Sequence, residues 1–351
     1  MRIRVEIDDR LRLISSLLTL AGFDWGDPAW RRHPLRVLTD KLLGPHECHV
    51  CASVTRELAR EHFMSVFYGY GVLLAGLNEG LARREEAPSR DWEEHFAPLD
   101  AVGYPELLMR FHEDTGLGAF WERTDDLWQQ ECAACRGLLD NGGVEEFLDL
   151  LFGPSLCALA LVPAPLDPFN WGFGVSSAST AYAICGPPLE FVFGPEGRPS
   201  TQLEPVFGNY GKRLWGFASH ELAHTLLCAA LEPHTAVIDE LAPLGDLMEL
   251  RGWFPDMYEG WPKRFEEVLL RAAGALYWRE REGEARAHEE LRREKTEFGI
   301  DLVDDVYECL SSYLDGRRTG GYAGLSEYIP ELAARLLPRN PSSEEQRCER
   351  N

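Results

Sequence analysis

The sequence lacks any long uninterrupted apolar run and is poor in basic residues. Its most apolar segment, residues 156–166, is interrupted by Pro163 and Pro165, and no run approaches the roughly 18 residues that a membrane-spanning helix requires. Lys and Arg number 35 against 58 Asp and Glu, which gives a formal net charge of −23. Nucleic acids and anionic membranes bind basic surfaces, so this charge argues against both as partners.

Signals for export and for nucleotide binding are also missing. Acidic residues from Glu6 to Asp9 precede any long apolar run, so the N-terminus does not resemble a signal peptide. Nine cysteines are an odd number, and without an export signal they favour reduced thiols over a disulfide framework. We therefore expect a cytoplasmic protein.

The sequence also lacks the motifs of nucleotide binding. The third glycine of the dinucleotide-binding fingerprint is misplaced in Gly69-Tyr70-Gly71 with Gly76, and no phosphate loop is present.

Helical periodicity dominates the first part of the chain. It predicts helices over residues 5–20, 54–81 with interruptions at glycines, 105–112, 119–139 and 144–152, and a polar connection over 82–102. Short β-prone segments between Pro/Gly turns follow at 156–162, 180–185 and 189–193 and predict a small sheet. After a further helix come a helix opened by Pro262 that runs to about residue 281, a charged stretch to 295, and helices over 301–314 and to about 337.

These patterns predict an α+β fold that is mostly helical and contains a small mixed sheet. The predicted organisation is a helical N-terminal region over residues 1–152, a catalytic domain over 153–337 and a disordered tail over 338–351.

One stretch, residues 217–226, combines spacing and chemistry that indicate a single reaction. His220 and His224 are four positions apart, so they lie about one turn apart on one helix face and both imidazoles reach the same ion. Glu221 completes the pattern His-Glu-x-x-His, which is typical of zinc hydrolases. There the metal lowers the pKa of a water molecule to about 7 and the glutamate takes its proton as general base. The alternative is an amphipathic helix with two packed histidines.

The third zinc ligand decides the subclass, because two histidines do not complete a catalytic site. The metzincin pattern requires a glycine three residues and a histidine six residues after His224, where the chain has Leu227 and Ala230. A glutamate on a later helix is the remaining common solution. The candidates are Glu240, Glu249, Glu259, Glu266 and Glu267.

The position of Glu267 on its predicted helix favours it as the third ligand. It lies opposite the main apolar stripe of its helix, on the side that carries Gly274 and Trp278, where a carboxylate is shielded from bulk water. The opposing interpretation is that Glu267 and Arg271 form an i,i+4 pair, and such pairs usually lie on solvated faces.

Several segments together resemble the DUF4932 family of bacterial proteins, a gluzincin-like group of predicted zinc metallopeptidases. The matching segments are Val5-Glu6-Ile7 with Leu20-Ala21-Gly22, Asn170-Trp171-Gly172-Phe173-Gly174 ahead of a strand, residues 220–224, residues 267–272, Phe298-Gly299 and residues 322–330. The resemblance implies a zincin-like (gluzincin) metallopeptidase fold, a zinc cofactor and Glu267 as the third metal ligand. The chain departs from the family after the second histidine, where Cys228-Ala229 replace Asn-Pro.

Two other groups of residues give weaker indications of function. Cys48 with Cys51 and Cys132 with Cys135 both form Cys-x-x-Cys, which permits a second, structural zinc site, although i,i+3 cysteines on a helix can simply pack. A donor for the oxyanion of a hydrolytic intermediate is also required. The candidates are Tyr322, which we place first, Tyr328, Tyr313 and His234; each has a packed structural role as its alternative.

The sequence thus predicts a zinc-dependent metallohydrolase that cleaves peptide bonds in a peptide or protein substrate. His220, His224 and Glu267 hold Zn²⁺, Glu221 is the general base, and Tyr322 is the oxyanion donor. The strand after Gly172-Phe173-Gly174 is expected to present an edge to an extended peptide. The main alternative is a non-catalytic zincin-like module that binds a peptide or protein and contains a structural zinc. A third possibility is hydrolysis of an amide bond in a small molecule.

Overall fold

The computed structural model describes residues 2–23, 34–84, 90–154, 157–168, 171–177, 179–187, 207, 211–246, 248–252 and 254–337. This part of the chain is mostly helical and contains a mixed four-stranded sheet, which confirms the predicted α+β class. The predicted strand at 189–193 and the predicted tail at 338–351 lie outside the described residues.

The elements follow one another in chain order with few strands among many helices. They are β1 (Ile3–Val5), α1 (Asp9–Leu20), α2 (Pro34–Leu43), α3 (Val50–Leu58), α4 (Met64–Val72), α5 (Arg90–Ala101), α6 (Tyr104–Thr115), α7 (Leu117–Leu139), α8 (Val144–Phe152), β2 (Ala158–Pro163), β3 (Gly172–Ser176), β4 (Thr180–Cys185), α9 (Arg213–Leu231), α10 (Thr235–Glu240), α11 (Ala242–Gly245), α12 (Phe254–Met257), α13 (Trp261–Glu282), α14 (Glu284–Phe298), α15 (Val303–Arg318) and α16 (Leu325–Leu336).

The chain divides into two compact units, Met1–Glu145 with Ser155–Thr225 and Glu146–Pro154 with Leu226–Asn351. This division differs from the predicted boundary between residues 152 and 153. The reason is that β1 pairs with β2, which joins the N-terminal residues to the strands that follow residue 157. The division falls inside α9, after Thr225.

The sheet of the first unit has the strand order β1-β2-β4-β3. β1, β2 and β4 are parallel, whereas β3 runs antiparallel to β4, with Phe173 opposite Ile184. The two central strands are apolar and almost fully buried, as expected of parallel strands covered on both faces. β3 therefore forms one edge of the described sheet.

The first unit has its core between this sheet and the N-terminal helices. Asp8 caps α1, because its side chain accepts from the backbone N–H of Arg10 and Leu11. The apolar face of α1 packs with α4 and the strands in one large cluster. Within the core, the carboxylate of Asp167 accepts hydrogen bonds from Ser15 (2.5 Å) and Tyr68 (2.6 Å). Burial raises the pKa of Asp167 to about 6, although these two bonds act in the opposite direction.

The second unit is built on α13, which packs against α14 and α15. The ring of Tyr277 meets Phe147 edge to face at 5.3 Å, and the hydroxyl of Tyr313 donates to the carbonyl of Leu151 at 2.6 Å. These contacts attach α8 to the helices that follow α9. In the part of the chain that the structure describes, no helix has both the length and the apolar character to cross a membrane.

Local predictions were wrong at several elements. The helix predicted over residues 5–20 begins only at Asp9, and Val5 belongs to strand β1. Residues 90–101 form α5 rather than a polar connection. The charged stretch up to residue 295 is α14, whose few apolar side chains, Ala287 and Leu291, lie four residues apart and are buried. Gly172-Phe173-Gly174 is part of strand β3 rather than a segment ahead of it.

Candidate metal centre

The two motif histidines lie on α9, a helix that is fixed by its opposite face. Ala218 and Leu222 are fully buried, and the indole N–H of Trp215 donates to the carbonyl of Leu138 at 2.8 Å. The imidazoles of His220 and His224 are half-buried, and their ring centroids are 4.8 Å apart with an interplanar angle of 89°. The i,i+4 spacing therefore brings both rings to one place, as the sequence predicted.

Glu221 lies between α9 and the edge strand β3. It is 9% exposed, and a Cβ atom on Gly172 would lie 2.9 Å from its Oε1 atom and would overlap the ring of Phe217. The glycine thus leaves the space that the carboxylate and the aromatic ring occupy. This is why a glycine stands inside a strand, where a residue without a side chain normally weakens the sheet.

Gly174 brings β3 still closer to the motif. A Cβ atom at this position would overlap the backbone carbonyl of Glu221 and lie 2.9 Å from the Cβ atom of His224. Since the obstacle is helix backbone, rotation of a side chain does not relieve the overlap. The sequence alone did not indicate why a glycine is needed at position 174, because the reason is a contact with His224, 50 residues further along the chain.

We expect the substitution Gly174→Ala to lower the free energy of unfolding by about 1–3 kcal/mol, the usual cost of overpacking a tight contact. It should also displace β3 from Glu221 and His224. Urea denaturation measures the first effect. Gly137→Ala is the matched control, because Gly137 lies in α7 with nothing within 4 Å of its added Cβ, and alanine there should stabilise the helix by about 0.5–1 kcal/mol. Wild-type stability of the Gly174 variant would contradict the close contact.

Glu267 differs in burial from the other four candidate ligands. It is 0% exposed, whereas Glu240, Glu249 and Glu259 are exposed and Glu266 is half-buried. Its Oε1 atom accepts a hydrogen bond from Nε of Arg271 at 2.7 Å. The i,i+4 pair with Arg271 is therefore buried, which excludes the interpretation that it lies on a solvated face.

Arg271 remains charged in this environment. Burial alone would lower the pKa of its guanidinium, but the neighbouring carboxylates of Glu267 and Glu294 raise the pKa above its ordinary value. Glu294 was not among the predicted site residues, because it stands in a run of charged residues with no local signal to distinguish it.

The structure groups His220, His224 and Glu267. Each residue offers one ligand atom, and these atoms all lie within 4.8 Å of one another. No other set of three or more His, Cys, Asp or Glu residues in the described part of the chain meets this criterion. Ligands at about 2.1 Å from a tetrahedral ion are about 3.4 Å apart, a separation that falls within the 4.8 Å limit of the group.

The candidate oxyanion donors have other contacts. The hydroxyl of Tyr322 donates to Glu331 at 2.8 Å, and its ring packs on Tyr313 and Tyr328. The hydroxyl of Tyr328 donates to the carbonyl of Cys309 at 2.9 Å, while that of Tyr313 bonds Leu151. His234 shares a hydrogen bond with Ser326 at 3.1 Å. The role of Tyr322 as oxyanion donor stays a prediction.

The cysteine pairs do not resemble a metal site. Cys51 is fully buried in the first-unit core, and burial raises the pKa of its thiol to about 12. Cys132 is also buried, and its pKa is raised to about 11, again mainly by burial. Neither cysteine pair belongs to the group of potential metal ligands in the described residues.

Comparisons of the chain with protein-family models, curated proteins and solved structures find no match. The resemblance to the DUF4932 family therefore stays a prediction, and the geometry around α9 and α13 supplies the basis for a functional proposal.

Proposed function

We propose that the protein is a zincin-like, zinc-dependent peptidase. His220, His224 and Glu267 hold the metal, and Glu221 is the general base. The observation that supports this proposal most strongly is that the ligand atoms of the three residues lie within 4.8 Å of one another, although Glu267 is 43 positions beyond His224 in the sequence.

The chemistry of the three side chains fits zinc. Two imidazole nitrogens and one carboxylate form the His₂Glu set of catalytic zinc sites, which leave the fourth position for water or substrate. A zinc ion in such a site makes a water molecule acidic enough to act as a nucleophile near neutral pH. Hard cations such as Ca²⁺ and Mg²⁺ prefer sites built from oxygen ligands, so the two imidazoles favour zinc over them.

Glu221 is suited to proton transfer. It follows the first histidine on α9, and its side chain is almost fully buried against Gly172 of β3. In the proposed reaction its carboxylate takes a proton from the attacking water and delivers it to the amide nitrogen as the C–N bond breaks. Glu221 alone thus supplies the proton that the leaving amine gains, and this step requires no further residue.

The edge strand supports an extended peptide as substrate. Backbone bonds from Gly186 N–H to the Trp171 carbonyl (2.8 Å) and from Ser177 N–H to the Thr180 carbonyl (2.9 Å) show that odd-numbered residues of this strand pair with β4. In an antiparallel ladder the intervening residues direct their N–H and C=O groups to the other side. Within the described residues, Gly172 and Gly174 therefore direct backbone groups to the edge of the sheet, beside Glu221 and His224, and we infer that a peptide strand adds there.

Zinc removal tests the proposal. Purified protein should cleave a library of unstructured peptides, lose this activity on treatment with a chelator and regain it when one equivalent of Zn²⁺ is added. Peptides with a proline at a cleavage-adjacent position provide a control for strand addition, because proline lacks the N–H that pairs with an edge. Cleavage that continues unchanged without zinc would contradict the proposal.

A further inference from the structure

The proposed ligand Glu267 is one end of a buried chain of three charged side chains. Arg271 lies one helical turn after Glu267 on α13, and its Nε atom donates to Glu267 Oε1 at 2.7 Å. Its Nη1 atom bonds Oε2 of Glu294 on α14. The side chains of Glu267, Arg271 and Glu294 are 0%, 11% and 5% exposed, so the chain of charges is sheltered from water.

Two aromatic rings fix the guanidinium of Arg271. Its central carbon lies 4.6 Å from the ring centroid of Phe298 and 5.5 Å from that of Phe254. Such contacts combine cation–π attraction with a steric limit on rotation. The guanidinium plane is thus held in the orientation that directs one N–H to each carboxylate.

Glu294 is fixed in turn by its own helix. Nη2 of Arg293 contacts Glu294 Oε1 at 2.9 Å and Glu290 Oε2 at 2.8 Å. Glu290 also pairs with Arg286 one turn earlier. Arg271 is consequently paired with a buried carboxylate on α14 rather than with an exposed surface carboxylate.

We propose that Arg271 and Glu294 form a clamp that positions the Glu267 carboxylate for zinc. This inference rests on the proposed function, since it assigns a purpose to groups that surround one of the proposed ligands. Arg271 and Glu294 are positioning residues, because neither belongs to the group of three ligand atoms. Outer-shell partners of this kind orient metal ligands, and their loss typically lowers metal affinity about 10–100-fold.

The two clamp residues act in complementary ways. Arg271 selects one rotamer of Glu267, which otherwise loses side-chain freedom on binding the ion. Glu294 shares the positive charge of Arg271, so the three side chains together carry one negative charge. Without Glu294, less of the charge of the guanidinium would be offset on the side away from Glu267, and Arg271 would compete more strongly with zinc for that carboxylate.

The replacements Arg271→Lys and Glu294→Gln test the clamp in the full-length chain. Lysine keeps the charge but cannot direct two fixed N–H groups at two carboxylates, and glutamine keeps the shape of Glu294 without its charge. Glu280→Gln is the matched control, because Glu280 also pairs with two arginines, Arg279 and Arg318, and it lies on α13 outside the ion pairs of the clamp. Zinc affinity is measured by competition with a chromophoric chelator, and folding is verified by circular dichroism.

The clamp predicts zinc affinity about 10–100-fold weaker than wild type for both variants, and a change of about threefold or less for Glu280→Gln. The visible spectrum of bound Co²⁺ should also shift in Arg271→Lys, which a purely structural ion pair would not cause. If Arg271→Lys fails to fold, the zinc affinity of Glu294→Gln tests the clamp in its place. Wild-type affinity in folded variants would overturn the clamp alone, whereas absence of zinc binding by the wild-type chain would overturn the clamp and the proposed function together.

Discussion

Replacing Glu221 with glutamine is expected to lower the rate of peptide cleavage at least about 10²–10⁴-fold, the usual contribution of a general acid–base group. Glutamine has nearly the same shape but cannot accept the proton of water. The proposed metal ligands, His220, His224 and Glu267, are unchanged in this variant. Zinc content and the unfolding midpoint should therefore stay close to wild type, and the measurement is peptide cleavage at equal zinc loading.

This variant separates catalysis from binding. A non-catalytic module with a structural zinc would lose nothing in Glu221→Gln, since peptide affinity and fold would be unchanged and cleavage would be absent from the start. Glu232→Gln serves as the control, because Glu232 is exposed directly after α9. Cleavage by Glu221→Gln at the wild-type rate would exclude Glu221 as the base.

The second large effect is expected from Glu267→Gln. The substitution keeps the size of the side chain but removes the negative charge that binds the ion, so zinc affinity should fall by more than about 100-fold, beyond the usual effect of an outer-shell change. Arg271 would keep its bond to Glu294, which limits the structural damage. Equilibrium zinc titration of the folded variant measures the change.

Glu266→Gln is the matched control for this experiment. Glu266 is adjacent in sequence, lies half-buried on the same helix, and contacts the thiol of Cys228 at 3.6 Å. Its replacement should change zinc affinity by less than about threefold. If the two variants lost zinc equally, or if only Glu266→Gln did, the third ligand would have been assigned to the wrong residue.

Sequence periodicity was sufficient for the elements with strong local signals. Helix α8 and strand β4 begin and end at the predicted residues, and α13 differs from its prediction by one residue at each end. The same local physics placed His220 and His224 on one helix face. These features depend on the 3.6-residue period of a helix and the turn residues that bound a strand, both of which are present in the sequence.

Features that depend on distant contacts were not predictable in this way. β1 is only three residues long and is stabilised by pairing with β2, more than 150 residues later. β3 contains glycines that are unfavourable in an isolated strand and are explained by the close approach of α9. Helix α14 carries too many charges for a clear apolar stripe, and its ion pairs with α13 became visible only in the structure.

The burial of Glu267 is a further feature that the sequence alone does not predict. From the sequence, the pair with Arg271 fits a solvated helix face as well as a buried one. Packing of α13 against α14 decides between these interpretations, because it places Phe298 and Glu294 around the guanidinium. The position of a third ligand is thus a tertiary property, whereas the spacing of the first two is local.

The central claim is that His220, His224 and Glu267 hold one zinc ion. Its most direct test is a Co²⁺ titration of the metal-free wild-type chain, followed by visible absorption and by displacement with Zn²⁺. The account predicts one equivalent bound in a tetrahedral site of nitrogen and oxygen ligands, with binding abolished in His220→Ala, His224→Ala and Glu267→Gln. An absence of stoichiometric binding by the wild-type chain, or unchanged binding in the three variants, would contradict it.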